Sequence, residues 1–131
     1  MATLLAASPA GAERPATSAI AAVDNLLGDL SDKRWPAAVN ALAPRVGLVN
    51  VPFRDACKKA FDKAFAARSV QLAKCLATDV QWPTHRLMGT EKPIKDGWQV
   101  SFDTNATFLV RKRKGGAFEV YDIAIAGMSR L

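Results

Sequence analysis

The stretch GWQVSFDTNATFLVRKRKGGAFEVYDIAIA, residues 97–126, decides the fold of this chain. In residues 98–103 apolar and polar side chains alternate, and this period of two is typical of a half-buried β-strand. The same pattern predicts strands over residues 106–112 and 118–126, and the glycines at 115–116 predict a hairpin turn between them. The C-terminal part is therefore predicted to be antiparallel β-sheet.

The segment before these strands has a helical period instead. Apolar residues recur every four positions from Phe53 and resume at Leu72, with charged residues on the opposite side. This pattern predicts one amphipathic helix over about residues 53–78, lying on the sheet. A strand is predicted over residues 79–88, and a polar loop over residues 89–97.

The N-terminal part is predicted to be a flexible arm followed by helices. Residues 1–15 form the arm, which ends at a proline. Thr17 or Ser18 can cap a helix that runs to about residue 30. A second short helix is predicted from Trp35 to about residue 42, followed by a connector with a brief extended segment.

Length and composition fit one domain, which we place at residues 16–131. The chain has 131 residues, half of them hydrophobic, and no apolar run approaches the roughly 20 residues of a membrane-spanning helix. The order of elements predicts an α+β class, with N-terminal helices packed on a curved antiparallel sheet in a roll or cone. Such a fold leaves a pocket between the helices and the concave face of the sheet.

The cysteines and the histidine offer little chemistry. On one straight helix, Cys57 and Cys75 would be about 27 Å apart, far beyond the reach of a disulfide, so we expect two buried core cysteines. His85 is the one histidine of the chain, so a zinc site would need mostly carboxylate ligands and no metal site is expected. No bound cofactor is expected either. The chain also lacks the P-loop, GxGxxG, GxSxG and HExxH motifs, which argues against an enzyme.

The positive charge of the chain is concentrated in its second part. The formal net charge is +6, and the charges of residues 1–50 sum to zero. The densest point lies at the tip of the predicted hairpin, in Arg111, Lys112, Arg113 and Lys114. These four residues are a candidate basic patch for phosphate groups, and a solvated hairpin tip is the alternative. Nearby aromatic residues fall at core positions rather than on an exposed stacking platform, which argues against nucleic acid.

One carboxylate stands out in the last strand. Asp122 interrupts the apolar run of residues 120–126, and a buried carboxylate needs a partner. A structural role, in a turn or beside an arginine, and a role facing a ligand both remain open for it.

Residues 111–129, RKRKGGAFEVYDIAIAGMS, resemble the C-terminal end of the toluene-tolerance (MlaC-like) family of phospholipid-binding proteins. That family typically shows a basic strand, a glycine-bearing turn, an aromatic residue and then Val-Tyr-Asp. The resemblance implies a fold related to the NTF2-like/cystatin-like cone, with an apolar cavity for acyl chains. The cavity residues that it implies are Phe61, Phe65, Trp98, Val100, Phe102, Phe108 and Val120.

Two functions follow from this resemblance. The first is a non-enzymatic lipid or hydrophobic-ligand binding module, which resembles periplasmic phospholipid carriers and contacts a membrane peripherally. The alternative is an accessory structural subunit that docks on a larger protein complex at a membrane, because the helical part looks abbreviated beside that family. A third hypothesis, an NTF2-like enzyme, requires His85 to line the cavity.

The N-terminus favours an exported protein or one in an organelle compartment, peripheral to a membrane, and a simple flexible arm of small residues is the alternative. Residues 1–12 are small and apolar and end in Ala10-Gly11-Ala12, which resembles the end of an export signal.

Overall fold

The computed structural model describes residues 16–82, 89–102 and 106–125. Within these residues the chain forms four helices and six strands. The helices are α1 (Ala19–Ser31), α2 (Trp35–Ala41), α3 (Asp55–Phe61) and α4 (Val70–Asp79). The strands are β1 (Leu42–Val49), β2 (Phe65–Ala67), β3 (Thr90–Ile94), β4 (Gly97–Ser101), β5 (Ala106–Lys112) and β6 (Phe118–Ile125). The α+β class predicted from the sequence is confirmed.

All six strands belong to one sheet, in the order β2-β1-β6-β5-β4-β3. Neighbouring strands are antiparallel except β1 and β6, which run parallel. A parallel pair needs a long crossover between its strands, and here the whole segment from α3 to β5 supplies it. The sheet is therefore mixed rather than purely antiparallel.

Helix α1 supplies much of the helical side of the core. It begins at Ser18, whose hydroxyl oxygen accepts a hydrogen bond of 3.1 Å from the Ala21 N–H, as an N-cap residue does. Its apolar residues at helical spacing are buried: Val23, Leu26, Leu27 and Leu30. Helix α1 contacts β3 to β6, and α2 contacts β1 and β6. The core lies between these helices and one face of the sheet.

The single long helix predicted over residues 53–78 is wrong. Two helices, α3 and α4, occupy this region, with β2 between them. Helix α4 starts independently, because the Ser69 hydroxyl oxygen accepts a hydrogen bond of 3.0 Å from the Leu72 N–H. Phe65 pairs with Gly47 of β1 instead of continuing the helical stripe. Pairing with the sheet overrides the local helical period.

The prediction that Cys57 and Cys75 are too far apart for a disulfide is also wrong. Because the chain turns back through β2, α3 packs on α4 and the two cysteines are bonded, with their Cα atoms 5.7 Å apart. The distance of about 27 Å assumed one straight helix. A disulfide is typical of oxidising compartments.

Three further segments were expected to have other bounds or another structure. Of the strand expected over residues 79–88, Asp79 belongs to α4, residues 80–82 form neither helix nor strand, and residues 83–88 lie outside the described part. A strand forms instead within the expected loop of residues 89–97, because β3 pairs with β4 across a tight turn. The brief extended segment expected in the connector of residues 47–52 is part of a longer strand, β1, which has eight residues and begins at Leu42.

The N-terminal arm predicted over residues 1–15 lies outside the described residues, as does the end of the chain from residue 126. The buried apolar side chains from α1 to β6 form one cluster. None of the described helices is long and apolar enough to cross a membrane.

Candidate functional site: the helix-free face of the sheet

One face of the sheet is covered by helices, and the other is free of the described helices. On the covered side, Phe108 and Val110 of β5 are fully buried in the core with α1. Side chains alternate between the two faces of a strand, so Leu109 and Arg111 point to the other side, where both are partly exposed. We call this second surface the open face.

The strand register places one residue from each strand in a row across the open face. The row runs from β2 to β3 through Phe65, Gly47, Asp122, Leu109, Gln99 and Lys92. Residues directly opposite each other on neighbouring strands share a face. The row is therefore apolar at β2, acidic near its centre and polar at β3.

The β2 side of the open face carries exposed apolar side chains. Phe65 is 54% exposed, and Val49, two residues along β1 from Gly47, is 46% exposed. The Arg45 guanidinium lies over the Phe65 ring, with its central carbon 5.0 Å from the ring centroid, in a cation–π contact. Neighbouring exposed apolar residues beside an arginine are typical of a protein interface.

Asp122 occupies space that the missing side chain of Gly47 leaves free. A Cβ atom at Gly47 would overlap Oδ1 of Asp122 and lie 3.4 Å from Cε1 of Phe65. Burial raises the pKa of Asp122, because partial removal from water disfavours the ionised carboxylate. No hydrogen bond or ion pair from the described residues offsets this burial. The open face therefore presents a carboxylate that can accept a hydrogen bond.

Two arginines of the predicted basic patch are engaged within the chain. Arg111 Nε lies 2.9 Å from Glu119 Oε2, and Arg113 Nε lies 3.2 Å from Glu119 Oε1. Glu119 is only 5% exposed, so these cations neutralise a buried carboxylate. Arg113 also donates a hydrogen bond of 2.6 Å to the Asn40 carbonyl oxygen and so ties the β5–β6 turn to the end of α2.

The lysines of the same patch are more accessible. Lys112 Nζ lies 5.3 Å from the centroid of the Phe118 ring, and Lys114 is exposed in the turn between β5 and β6. A contact role for residues 111–114 stays a prediction.

Tyr121 adds an aromatic ring beside the arginine cluster, which consists of Arg111 and Arg113 around Glu119. It is the extra residue of a β-bulge, where the β5–β6 register shifts between Leu109 and Val110. The Arg111 guanidinium carbon lies 4.7 Å from the Tyr121 ring centroid. Burial raises the pKa of Tyr121, and nearby Asp96 adds to the shift while Arg111 opposes it. Tyr121 is therefore neutral at physiological pH and can donate a hydrogen bond from its hydroxyl.

Four of the seven residues predicted to line an apolar cavity lie in the closed core: Val100, Phe102, Phe108 and Val120. The rings of Phe102 and Phe108 pack edge to face, with their centroids 5.9 Å apart. These side chains fill the space between the helices and the sheet, where the pocket was expected.

The other three predicted cavity residues lie in three separate places. Trp98 packs edge to face on Phe118 at the margin of the core, with the ring centroids 5.3 Å apart. Phe61 lies on α3 and Phe65 on the open face. The structure thus does not gather the seven residues around one cavity, and their role as ligand contacts stays a prediction.

Phe61 borders an open cleft of about 370 Å³. The apolar part of its lining includes Leu48, Phe53 and Phe61, and its polar rim includes Asp62 and Lys63. The volume is at the small end of the range for ligand pockets in proteins.

The described residues show no metal centre. They contain no group of three or more His, Cys, Asp or Glu side chains that could hold a metal ion. His85, the residue on which the enzyme hypothesis depends, lies outside the described part of the chain.

Sequence reasoning missed the open face as a site. A signal was present at Leu109, an apolar residue between two core residues, where strand alternation predicts a solvent-facing side chain. Val49 gives no such signal, because the sequence predicts only a brief extended segment within a connector there. Asp122 did stand out in the sequence, although its position opposite Gly47 could not be foreseen.

No protein-family model, no curated protein and no solved structure matches this chain. The resemblance of residues 111–129 to the toluene-tolerance family therefore stays a prediction, and function is inferred from the geometry of the open face.

Proposed function

We propose that this chain is a non-enzymatic accessory subunit that docks on a larger protein complex through the open face. The observation that carries the proposal is the exposed pair Phe65 and Val49, on a sheet face that no described helix covers. Covering such side chains is favourable by about 25 cal/mol for each Å² of apolar surface removed from water. A partner protein that covers this pair would therefore gain affinity from it.

The charges on the open face indicate the chemistry of the partner. Arg45 lies beside Phe65, and Arg111, with a side chain 43% exposed, lies beside Tyr121. A partner with an apolar patch bordered by Asp and Glu residues complements these cations. It also has to offer a hydrogen-bond donor to Asp122, because covering an ionised carboxylate without a donor is costly.

We place this docking in an exported or organelle compartment, at the surface of a membrane. The Cys57–Cys75 disulfide supports an oxidising compartment. The net charge of +6 supports attraction to an acidic protein or an anionic lipid surface.

Binding of a phospholipid or another apolar ligand is the second candidate function. Its support is the cleft of about 370 Å³ beside Phe61, one of the residues that the family resemblance implies. A carrier of acyl chains has to enclose them, whereas Phe108 and Val120 are fully buried in the interior where such a cavity was expected. The geometry therefore favours docking over carriage.

The test compares two surfaces of the full chain. Phe65→Ser combined with Val49→Thr removes apolar area from the open face, and Val70→Thr, at a side chain 44% exposed on α4, is the matched control. The native mass of the endogenous protein is measured for each variant, with identification of co-purifying proteins and extracted lipids. We expect the wild type and the control to travel in a complex, and the double variant to be released from it.

Three results would count against the proposal. Equal retention of the double variant and the control excludes the open face as the docking surface. A chain that travels alone with bound lipid favours the carrier. A homodimer lost in the double variant makes the open face an interface between two copies.

A further inference from the structure

Helix α3 is fastened to the fold by few contacts. None of its residues is buried, and its main neighbour is α4. The Phe61 ring lies 5.7 Å from the Phe53 ring, and the Arg54 N–H donates a hydrogen bond of 2.8 Å to Asp79 Oδ2. The covalent attachment is the disulfide between Cys57 of α3 and Cys75 of α4. A helix of seven residues does not persist by itself in water, so these contacts keep it folded.

The disulfide opens to solvent through a cleft of about 360 Å³. Both cysteines line this cleft, together with Val70, Gln71, Lys74 and Thr78. Cys75 is 3% exposed, whereas Cys57 is half-buried and is the more accessible of the two. Lys74 brings a positive charge to the cleft, and a nearby cation favours an incoming thiolate.

We propose that Cys57–Cys75 is a thiol–disulfide exchange site for a dithiol reductant, and that its reduction releases α3 from α4. A thiolate of the reductant attacks Cys57 Sγ, which forms a mixed disulfide and expels Cys75 as a thiolate that then takes up a proton. The second thiolate of the reductant then attacks the reductant's other sulfur atom, which is bonded to Cys57 in the mixed disulfide. Cys57 leaves as a thiolate and also takes up a proton. In total, two electrons and two protons pass from the dithiol to the cysteine pair, and the reductant leaves as a disulfide.

The sheet, α1 and α4 are expected to stay folded when α3 is released. The side chains of Leu72 and Leu76 on α4 are fully buried, and α4 contacts α1 and α2 as well as α3. The sheet and α1 contribute to the same core and carry neither cysteine of the disulfide. Reduction is therefore expected to loosen residues 54–64 while the sheet stays folded. This inference does not depend on the docking proposal, because it concerns a different surface and a different measurement.

The experiment uses the oxidised full chain, with dithiothreitol as the dithiol probe under native conditions. Free thiols are trapped by alkylation and counted by mass spectrometry, and amide hydrogen exchange is measured before and after reduction. We expect both thiols to appear without global unfolding, and the protection of amides in α3 to fall about tenfold or more. Protection in β5 and β6 is expected to stay unchanged.

Two sets of variants sharpen the test. Cys57→Ser with Cys75→Ser should reproduce the loosened α3 without any reductant. Lys74→Gln should slow the reduction about threefold, whereas Lys92→Gln, the same change on β3 at the far edge of the sheet, should leave the rate unchanged.

Two outcomes would overturn the proposal. The proposal fails if the disulfide can be reduced only at denaturant concentrations that unfold the whole chain, since the bond is then a purely structural cross-link. The proposal also fails if exchange in α3 is the same before and after reduction. Should the double serine variant fail to fold, the native reduction of the wild-type chain still decides between these results.

Discussion

Replacing Gly97 with alanine should be far more damaging than replacing Gly115. Gly97 begins β4 with a φ of +158°, and a Cβ atom there would overlap the Val110 carbonyl oxygen and lie 3.1 Å from Arg111 Cα. These are backbone atoms of the paired strand β5, so they cannot rotate away as a side chain can. At Gly115, in the turn before β6, a Cβ atom would meet nothing within 4 Å.

The structure orders three substitutions by what the added methyl group meets. Gly97→Ala forces β4 away from β5 and disturbs the ladder at Trp98 and Val110, at a cost of about 3 kcal/mol. Gly47→Ala should cost about 1 kcal/mol, because the Asp122 side chain can leave its rotamer to make room. Gly115→Ala should stay within about 0.5 kcal/mol of the wild type. Since domains are stable by roughly 5–15 kcal/mol, the first change removes a large fraction of the total.

Urea unfolding followed by circular dichroism measures these differences. With a slope of about 2 kcal/mol per M, Gly97→Ala should lower the midpoint by about 1.5 M and Gly115→Ala by less than about 0.3 M. Equal midpoints for these two variants would refute the reasoning, since they would mean that the close approach of β4 to β5 at Gly97 does not exist. A cost at Gly47 larger than the cost at Gly97 would refute the distinction between side-chain and backbone neighbours.

Three other changes test the core, the arginine cluster and the open face. Phe108→Ala should cost about 3–5 kcal/mol in the free energy of unfolding if this ring is closed core, and a loss below about 1 kcal/mol would support a ligand-lined cavity instead. Glu119→Gln should lower the free energy of unfolding by about 1–2 kcal/mol, because it removes the negative charge with which Arg111 and Arg113 both pair. This loss should be smaller when unfolding is measured in high salt. Burial raises the pKa of Asp122, so the folded protein binds the proton of this carboxyl group more tightly than the unfolded chain does. The free energy of unfolding therefore falls as the pH rises through the raised pKa of the folded state. The stability gained by Asp122→Asn should accordingly be larger at pH 7 than at pH 3, and an equal gain at both would contradict the shift.

Local sequence patterns were sufficient for several elements. The alternation over residues 106–112 and the paired glycines after it predict β5 and the β5–β6 hairpin, because pairing across a short turn depends on neighbours in the chain. The start of α1 follows from a capping residue at Thr17 or Ser18, and in the structure the Ser18 hydroxyl satisfies an N–H group of the first turn. Each of these features is set by interactions between residues close together in sequence.

The aromatic stripe after Phe53 shows where such reasoning fails. Residues 53–78 carry a helical period, yet Phe65 leaves the helix because its backbone pairs with β1. The same reversal of the chain brings Cys57 to Cys75, a contact that spacing along one helix had excluded. Neither outcome is written in the local pattern, because both depend on a strand that lies about 20 residues away in the chain.

The sequence by itself determined an α+β domain with helices first, a C-terminal hairpin and no recognisable catalytic motif. Only the tertiary structure decided which apolar side chains are core and which are surface. Phe108 is closed away between α1 and the sheet, whereas Phe65, an equally apolar residue, is left on the open face. The reason is physical: a side chain's exposure depends on which elements pack over it, and the parallel pairing of β1 with β6 sets that packing through contacts distant in sequence.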